Sequence, residues 1–173
     1  MTPPTLVATA KATNANSYVD VATAALYLSG RPNTAAWDNA STEDQTIACI
    51  AATMRLETEV WQGSRTTSTQ RLAWPRSGVT DFEGWPLENG NIDTIPVLIA
   101  NATAELALAL LQTPTLLERN ALDAFTSLAV PGVSLDTRGS ALAGAVLPPM
   151  VRRMLATVRE AGSGGSGVLL VRG

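Results

Sequence analysis

The chain has 173 residues, enough for one domain with a substantial hydrophobic core. Its composition, 46% hydrophobic and 16% charged, is typical of a globular protein, and no apolar run approaches the length of a membrane-spanning helix. The N-terminus lacks the basic and apolar regions of a signal peptide. A net charge of -3 argues against a nucleic-acid binder that works through a broad basic surface.

The absence of histidine removes the commonest general base and metal ligand. The single cysteine, Cys49, cannot form an internal disulfide, and we expect it to be a small buried residue of a helix. Residues 162–167, GSGGSG, formally match a nucleotide-binding glycine motif but follow a predicted helix rather than a strand, which is typical of a linker. Asp81 and Glu83 alone offer too few oxygens for a hard cation. We therefore predict no enzymatic activity, no cofactor and no metal.

The first third of the chain predicts an arm and a short helix. Residues 1–16 are rich in Thr, Ala and Asn and predict an N-terminal arm. Asp20 is the expected N-cap of a helix over Val21–Leu28, which Gly30 ends. Trp37 follows in a turn-like stretch that it should anchor.

A second helix is predicted to begin after Ser41, with Asp44 giving a capping-box-like start, and to end near Trp61. Its apolar residues recur at spacings of three, four and seven, which predicts that they share one face of the helix. These residues are Ile47, Ile50, Met54 and Trp61.

The most unusual stretch is Trp61–Leu87, which contains three of the four tryptophans, two of them directly before a proline. It belongs to a loop that extends from Gly63 to about Thr94 and has no periodicity. Disordered segments are poor in aromatic residues, so packing must hold this loop in place.

The third helix, VLIANATAELALALLQ, should have Pro96 in its first turn and end at Pro114. It is apolar nearly all round, with Glu105 as its only charge, which predicts a central position in a bundle or burial in an oligomer.

Two readings remain open for residues 116–138. They form either a β-hairpin around Pro131-Gly132 or a continued helix through Ala121–Leu128. A last helix should run from Pro148 to about Arg159, with its apolar face made of Val151, Leu155 and Val158.

These elements predict a mainly α fold: a small bundle of about four helices with a long ordered Trp/Pro loop over residues 17–160. Residues 161–173 add a Gly/Ser linker and a C-terminal docking strand, Val168–Arg172, suited to adding to the sheet edge of a neighbouring subunit or partner.

The long loop allows two interpretations. Its tryptophans could stack the bases of single-stranded nucleic acid while Arg65, Arg71 and Arg76 contact phosphates. We favour the alternative, in which the tryptophans tie the loop to the helices while the arginines pair with carboxylates, because tryptophans are usually core or interface anchors.

The order of several motifs resembles the head–tail connector (adaptor) proteins of tailed bacteriophages, some of which are described as DnaT-like single-stranded-DNA-binding proteins. The resemblance covers roughly residues 16–112. The motifs are Asn16-Ser17-Tyr18-Val19, Ala36-Trp37-Asp38, Trp61-x-Gly63-x-Arg65, Gln70-x-Leu72-x-Trp74-Pro75-Arg76, Gly78-Val79, Asp81-x-x-Gly84, Ile95-Pro96 and Ala102-Thr-Ala-Glu-Leu-Ala107.

The resemblance implies a structural virion protein, made in the host cytoplasm and located in the phage neck. It would form a dodecameric ring beneath the portal protein, contact a neck or tail-terminator protein on the tail side, and let DNA pass without specific binding. No membrane is involved. The alternative is a single-stranded-DNA-binding module. The expected interface residues are Arg65, Arg71, Trp74, Arg76, Trp85, Val168, Leu169, Leu170, Val171 and Arg172.

Overall fold

The structure, a computed structural model, describes residues 4–117 and 147–160. This part of the chain is mainly helical, as predicted, and includes a two-stranded antiparallel ribbon. The predicted alternatives for residues 116–138 and the linker with its docking strand fall almost entirely outside the described residues. The elements are α1 (Val21–Leu28), α2 (Ala35–Asp38), α3 (Thr42–Leu56), β1 (Ser64–Arg65), β2 (Arg76–Ser77), α4 (Val97–Gln112) and α5 (Pro149–Met154), with 3-10 turns at Leu87–Gly90 and Pro114–Leu117.

Local capping sets the starts of the first and third helices as the sequence predicts. The carboxylate of Asp20 accepts a hydrogen bond from the Thr23 amide at 2.8 Å. The Ser41 hydroxyl accepts one from the Asp44 amide at 3.1 Å. Each cap satisfies an amide that the first turn of a helix leaves without a backbone partner.

Helix α4 is the centre of the fold. It contacts α1, α2, α3 and α5, and nine of its sixteen residues are buried. The buried set includes its only charged residue, Glu105, whose carboxylate accepts a hydrogen bond from the Tyr27 hydroxyl at 2.8 Å and pairs with Arg31 at 3.1 Å. The nearly uniform apolar character of α4 therefore reflects a helix surrounded by other elements, as predicted.

The prediction that the large apolar residues of the second predicted helix, α3, form its buried face is wrong. Ile47 is 44% and Met54 is 66% exposed. The buried residues of α3 are instead Leu56 and four small residues, Ala48, Cys49, Ala52 and Thr53. Small residues allow α3 and α4 to approach closely, so the core seam follows side-chain size rather than the largest apolar residues.

Helix α3 also ends earlier than predicted, at Leu56, with Glu57 as C-cap. Trp61 lies beyond the helix in an extended segment that forms an antiparallel bridge with Arg159. Next to this bridge, the Gln62 amide donates to the Val158 carbonyl and the Glu160 amide donates to the Val60 carbonyl, both at 3.0 Å.

The last described segment closes the core. Its helix, α5, is shorter than predicted, but Val151, Leu155 and Val158 are all fully buried, as their spacing indicates. Two salt bridges of Glu59 stabilise the end of this segment: its carboxylate pairs with Arg55, at 2.6 Å, and with Arg159.

Candidate nucleic-acid interface

Trp61 and Trp74 anchor the long loop to the helical core. Both are buried, and their rings meet edge to face with centroids 5.5 Å apart. Such T-shaped pairs are favoured by the quadrupoles of the two rings. Neither ring can therefore stack on a base in this conformation, and the prediction that the tryptophans tie the loop to the helices is confirmed for these two.

Gln70 organises the middle of the loop from inside. Its side chain is 3% exposed, and its amide nitrogen donates to the carbonyls of Leu72 and Pro75 at 2.8 and 3.0 Å. Its amide oxygen accepts from the Thr66 hydroxyl and the Thr67 amide at 2.9 and 3.1 Å. One buried side chain thus replaces the backbone pairing that this irregular segment lacks.

Glu57 joins the loop to the N-terminal part of the chain. Its carboxylate accepts hydrogen bonds from the Ala73 amide, at 2.9 Å, and from the Tyr18 hydroxyl. Burial, as the larger cause, and the adjacent negative charge of Glu57 raise the pKa of Tyr18 well above its usual range. The phenol therefore stays protonated and remains a donor.

Arg76 stabilises the loop through hydrogen bonds to backbone carbonyls. Its Nε donates to the Gln62 carbonyl at 2.6 Å, Nη1 to Ala73 at 3.4 Å, and Nη2 to Gly63 and Trp61 at 2.5 and 3.3 Å. A guanidinium has five N–H donors, so four are already used. The hydrogen-bonding capacity of Arg76 is therefore largely used within the loop, although its positive charge remains, and its place at a partner interface stays a prediction.

Two arginines face each other across the ribbon. Arg65 pairs with Arg76 and Ser64 with Ser77 in the antiparallel register. Burial, and then the neighbouring charge of Arg65, lower the pKa of Arg76. Like charges directly opposite each other destabilise a sheet, so an anion placed here relieves a repulsion that the free protein carries.

The prediction that the loop arginines pair with carboxylates is wrong for Arg65 and Arg71: both are exposed, and neither contacts a carboxylate within residues 4–117 and 147–160. Arg71 lies beside the N-terminal arm, where its amide donates to the Ala12 carbonyl at 3.4 Å. Residues 62–80, which we call the basic segment, contain three arginines and no aspartate or glutamate. A chain with net charge -3 therefore has a local stretch of charge +3.

The basic segment leads into a rigid turn over residues 79–87, which we call the aromatic turn. Thr80 and Pro86 form an antiparallel bridge, and the Asp81 amide donates to the Trp85 carbonyl at 2.8 Å. The Asp81 carboxylate accepts from the amides of Glu83 and Trp85, each at 2.9 Å. The turn therefore has a fixed backbone although its tip projects from the core.

Two aromatic side chains of the aromatic turn are exposed to solvent. Phe82 is 82% and Trp85 is 69% exposed. Arg76 lies opposite Arg65 in the ribbon, and Thr80 lies opposite Pro86 at the base of the aromatic turn. The chain from Arg76 to Thr80 advances by four residues, so these two pairs are no more than about 14 Å apart. The base of the aromatic turn and Arg65 thus lie within the reach of a few nucleotides.

A cleft of about 340 Å³ adjoins the aromatic turn. It is lined by residues 76–80, 86, 87 and 90–92. None of the lining residues is acidic.

The structure separates the predicted interface residues into three groups. Trp74 is buried and Arg76 is bonded to backbone carbonyls, whereas Arg65, Arg71 and Trp85 are exposed. Val168, Leu169, Leu170, Val171 and Arg172 lie outside the described residues. Phe82 was missed, although its place beside Trp85 in a segment with turn residues is a usable signal.

Within the described residues, no group of three or more cysteines, aspartates or glutamates is arranged to hold a metal ion. Their helices are also too short or too polar to cross a membrane. Cys49 is buried, and this burial together with the charge of Asp20 raises the pKa of its thiol to about 12. The thiol therefore shows none of the features of a reactive cysteine.

Comparison with known families finds a match over residues 5–173 to the family described as "Putative DnaT-like ssDNA binding protein". The chain belongs to this family. Neither the curated proteins nor the solved structures contain a significant match.

The family match contradicts the predicted head–tail connector function and supports the alternative, a DnaT-like single-stranded-DNA-binding protein. The motif Gln-x-Leu-x-Trp-Pro-Arg, which dominated the resemblance, is mostly buried: Gln70, Leu72, Trp74 and Pro75 all lie in the core. It encodes how the loop packs and says little about what the surface contacts. The dodecamer, portal and virion assignments have no support here.

Proposed function

We propose that this protein binds single-stranded DNA, without catalysing a reaction, through the aromatic turn and the basic segment. One observation carries the proposal: Phe82 and Trp85 are exposed on a hydrogen-bonded turn that adjoins a stretch with three arginines and no carboxylate. The family description supports it.

In the proposed mode, bases of an unpaired strand stack on Trp85 and Phe82, while the guanidinium groups of Arg65 and Arg71 contact phosphates. Stacking contributes about 1–3 kcal/mol per base and tolerates any sequence, because every base has a π-face. A duplex keeps its bases stacked on one another and so gains only the phosphate contacts.

The net negative charge of the chain shapes the expected binding. Long-range repulsion between the acidic remainder of the protein and DNA weakens the encounter, whereas the local arginines attract the strand at short range. We therefore expect modest affinity that decreases steeply as salt is added.

A direct test is a titration of the protein into a fluorescein-labelled oligo(dT), followed by anisotropy at low salt. Quenching of tryptophan fluorescence provides a second signal, because Trp85 is the exposed tryptophan of the described loop. We expect saturable binding to the single strand and weaker binding to a duplex of the same length. If up to about 100 µM protein, the weak end of non-specific binding, produces no signal, the proposal is wrong.

A further inference from the structure

We propose that the cleft beside the aromatic turn binds one nucleobase of the strand, adjacent to the base that stacks on Trp85. This inference rests on the proposed function and assigns a second, more selective contact to the same surface.

The size and walls of the cleft suit a small planar heterocycle. Its volume of about 340 Å³ lies at the lower end of the range of small-molecule sites, roughly 300–1,000 Å³. Val79, Pro86, Leu87 and Ile92 supply the apolar part of its lining. A base that leaves water for this space gains contact with that apolar surface.

The lining of the cleft contains one basic residue, Arg76, and no acidic residue. The surrounding loop also contains four acidic residues, Asp81, Glu83, Glu88 and Asp93, so the positive charge is confined to the lining itself. Arg76 is therefore the charge that a phosphate of the strand would meet at the cleft.

Asn91 supplies hydrogen-bonding capacity in the lining. Its side-chain oxygen accepts from the Asp93 amide at 2.9 Å, which holds the side chain in a local turn. Within the described residues its amide nitrogen has no acceptor, so two N–H donors remain for the carbonyl oxygen or ring nitrogen of a base.

The position of the cleft links it to the stacking surface. Pro86, one of its wall residues, directly follows Trp85, so their Cα atoms are about 3.8 Å apart. A strand that places one base on the Trp85 ring therefore brings a neighbouring base to the cleft without spanning a gap.

The experiment compares oligo(dT) with an abasic oligomer of the same length, which has the sugar–phosphate backbone and no bases. The variants are Asn91→Ala, which removes the free donors, and Ile92→Ala, which removes part of a wall but leaves the Asn91 turn. Asn39→Ala, an exposed asparagine at the end of α2, is the matched control. We expect Asn91→Ala to weaken oligo(dT) binding about fivefold, the size of one neutral hydrogen bond, with abasic binding unchanged.

The outcomes separate the two proposals. If the wild-type protein binds neither oligomer, the proposed function fails. If it binds oligo(dT), but both variants keep its full preference over the abasic strand, or lose both affinities equally, the cleft does not bind a base.

A second measurement does not depend on how the variants fold. Titration of wild-type protein with thymidine monophosphate, monitored by NMR, should shift the side-chain amide signals of Asn91 and the methyl signals of Ile92 and Leu87. If these signals stay unchanged while oligo(dT) binding is retained, the inference is overturned.

Discussion

The ring of Trp74 meets that of Trp61 edge to face, at 5.5 Å between centroids and an interplanar angle of 76°. This pair lies in the core, whereas Trp85 lies on the aromatic turn and is largely exposed. Tryptophans only eleven residues apart therefore have different roles, and substitutions can separate the packing of the loop from binding at its surface.

Trp74→Ala should destabilise the fold strongly. The substitution removes a buried indole and leaves a cavity, which typically costs about 3–5 kcal/mol. Urea unfolding monitored by circular dichroism measures the loss. A decrease below about 1 kcal/mol would show that the loop is not anchored through this ring.

Trp85→Ala should weaken binding while preserving stability. Loss of one stacking contact is expected to reduce the affinity for oligo(dT) about tenfold. The free energy of unfolding should remain within about 0.5 kcal/mol of the wild-type value, because the ring is exposed. Leu26→Ala, an equally exposed apolar residue on α1, is the control and should retain full affinity. Undiminished binding by the Trp85 variant would remove the aromatic turn from the interface.

Arg65→Ala should change the salt dependence of binding. Each phosphate contact on a single strand contributes about 0.7 to the slope of log affinity against log salt concentration, and the variant should lose that amount. Binding isotherms at four or five salt concentrations give the slope. Arg153→Ala, an exposed arginine of α5, should leave it unchanged. An identical slope for the Arg65 variant would contradict a phosphate contact at that residue.

Gly63→Ala should disrupt the ribbon that positions Arg65. Gly63 has φ of 69°, and an added Cβ would lie 2.1 Å from the Ser77 carbonyl oxygen. We expect a loss of about 3 kcal/mol from backbone strain and overlap together. The matched control is Gly84→Ala, which also has positive φ but meets no atom within 4 Å, so the difference between the two isolates the overlap.

Alkaline titration should detect two phenols that donate to carboxylates, that of the buried Tyr18 and that of the partly buried Tyr27. The pKa of Tyr27 is raised to about 12 by burial and by Glu105, and that of Tyr18 is raised further by burial and by Glu57. Because the folded-state pKa values lie above the unfolded value of 10, this contribution to stability is complete below pH 10. It declines as the pH rises from 10 to about 12 and beyond.

Absorbance of phenolate near 295 nm and urea unfolding at several pH values test this prediction together. The native protein should show little phenolate at pH 10, whereas the unfolded chain should be half ionised there. Tyr18→Phe should flatten the decline in stability above pH 10. A native titration curve that matches that of the unfolded protein would contradict the raised pKa values of both phenols.

Some of the fold could be predicted from the sequence because the signals are local. The caps at Asp20 and Ser41 and the nearly all-apolar character of α4 each specify their own segment. The core face of α3 could not be predicted from large apolar residues, because α4 packs against a seam of small ones. Ile47 and Met54 face outward as a result.

The candidate interface was only partly predictable, for a different reason. Composition cannot tell a buried tryptophan from an exposed one, and Trp74 and Trp85 both precede proline. Arg76 similarly resembles Arg65 in sequence, yet its donors are used by four backbone carbonyls. The deciding contacts join residues that are distant in sequence: Arg76 donates to the carbonyls of residues 61–63, and residues 60–62 pair with residues 158–160.

The pairing of residues 60–62 with 158–160 has a consequence for synthesis in the cell. Residues 60–62, at the start of the basic segment, form backbone hydrogen bonds with residues 158–160, which come about a hundred residues later in the chain. During translation these bonds cannot form until about a hundred further residues have been added after Trp61 and Gln62. At roughly 5–20 residues per second, this takes several seconds. The backbone pairing next to the basic segment is therefore completed only after residues up to Glu160 have been synthesised and have left the ribosome.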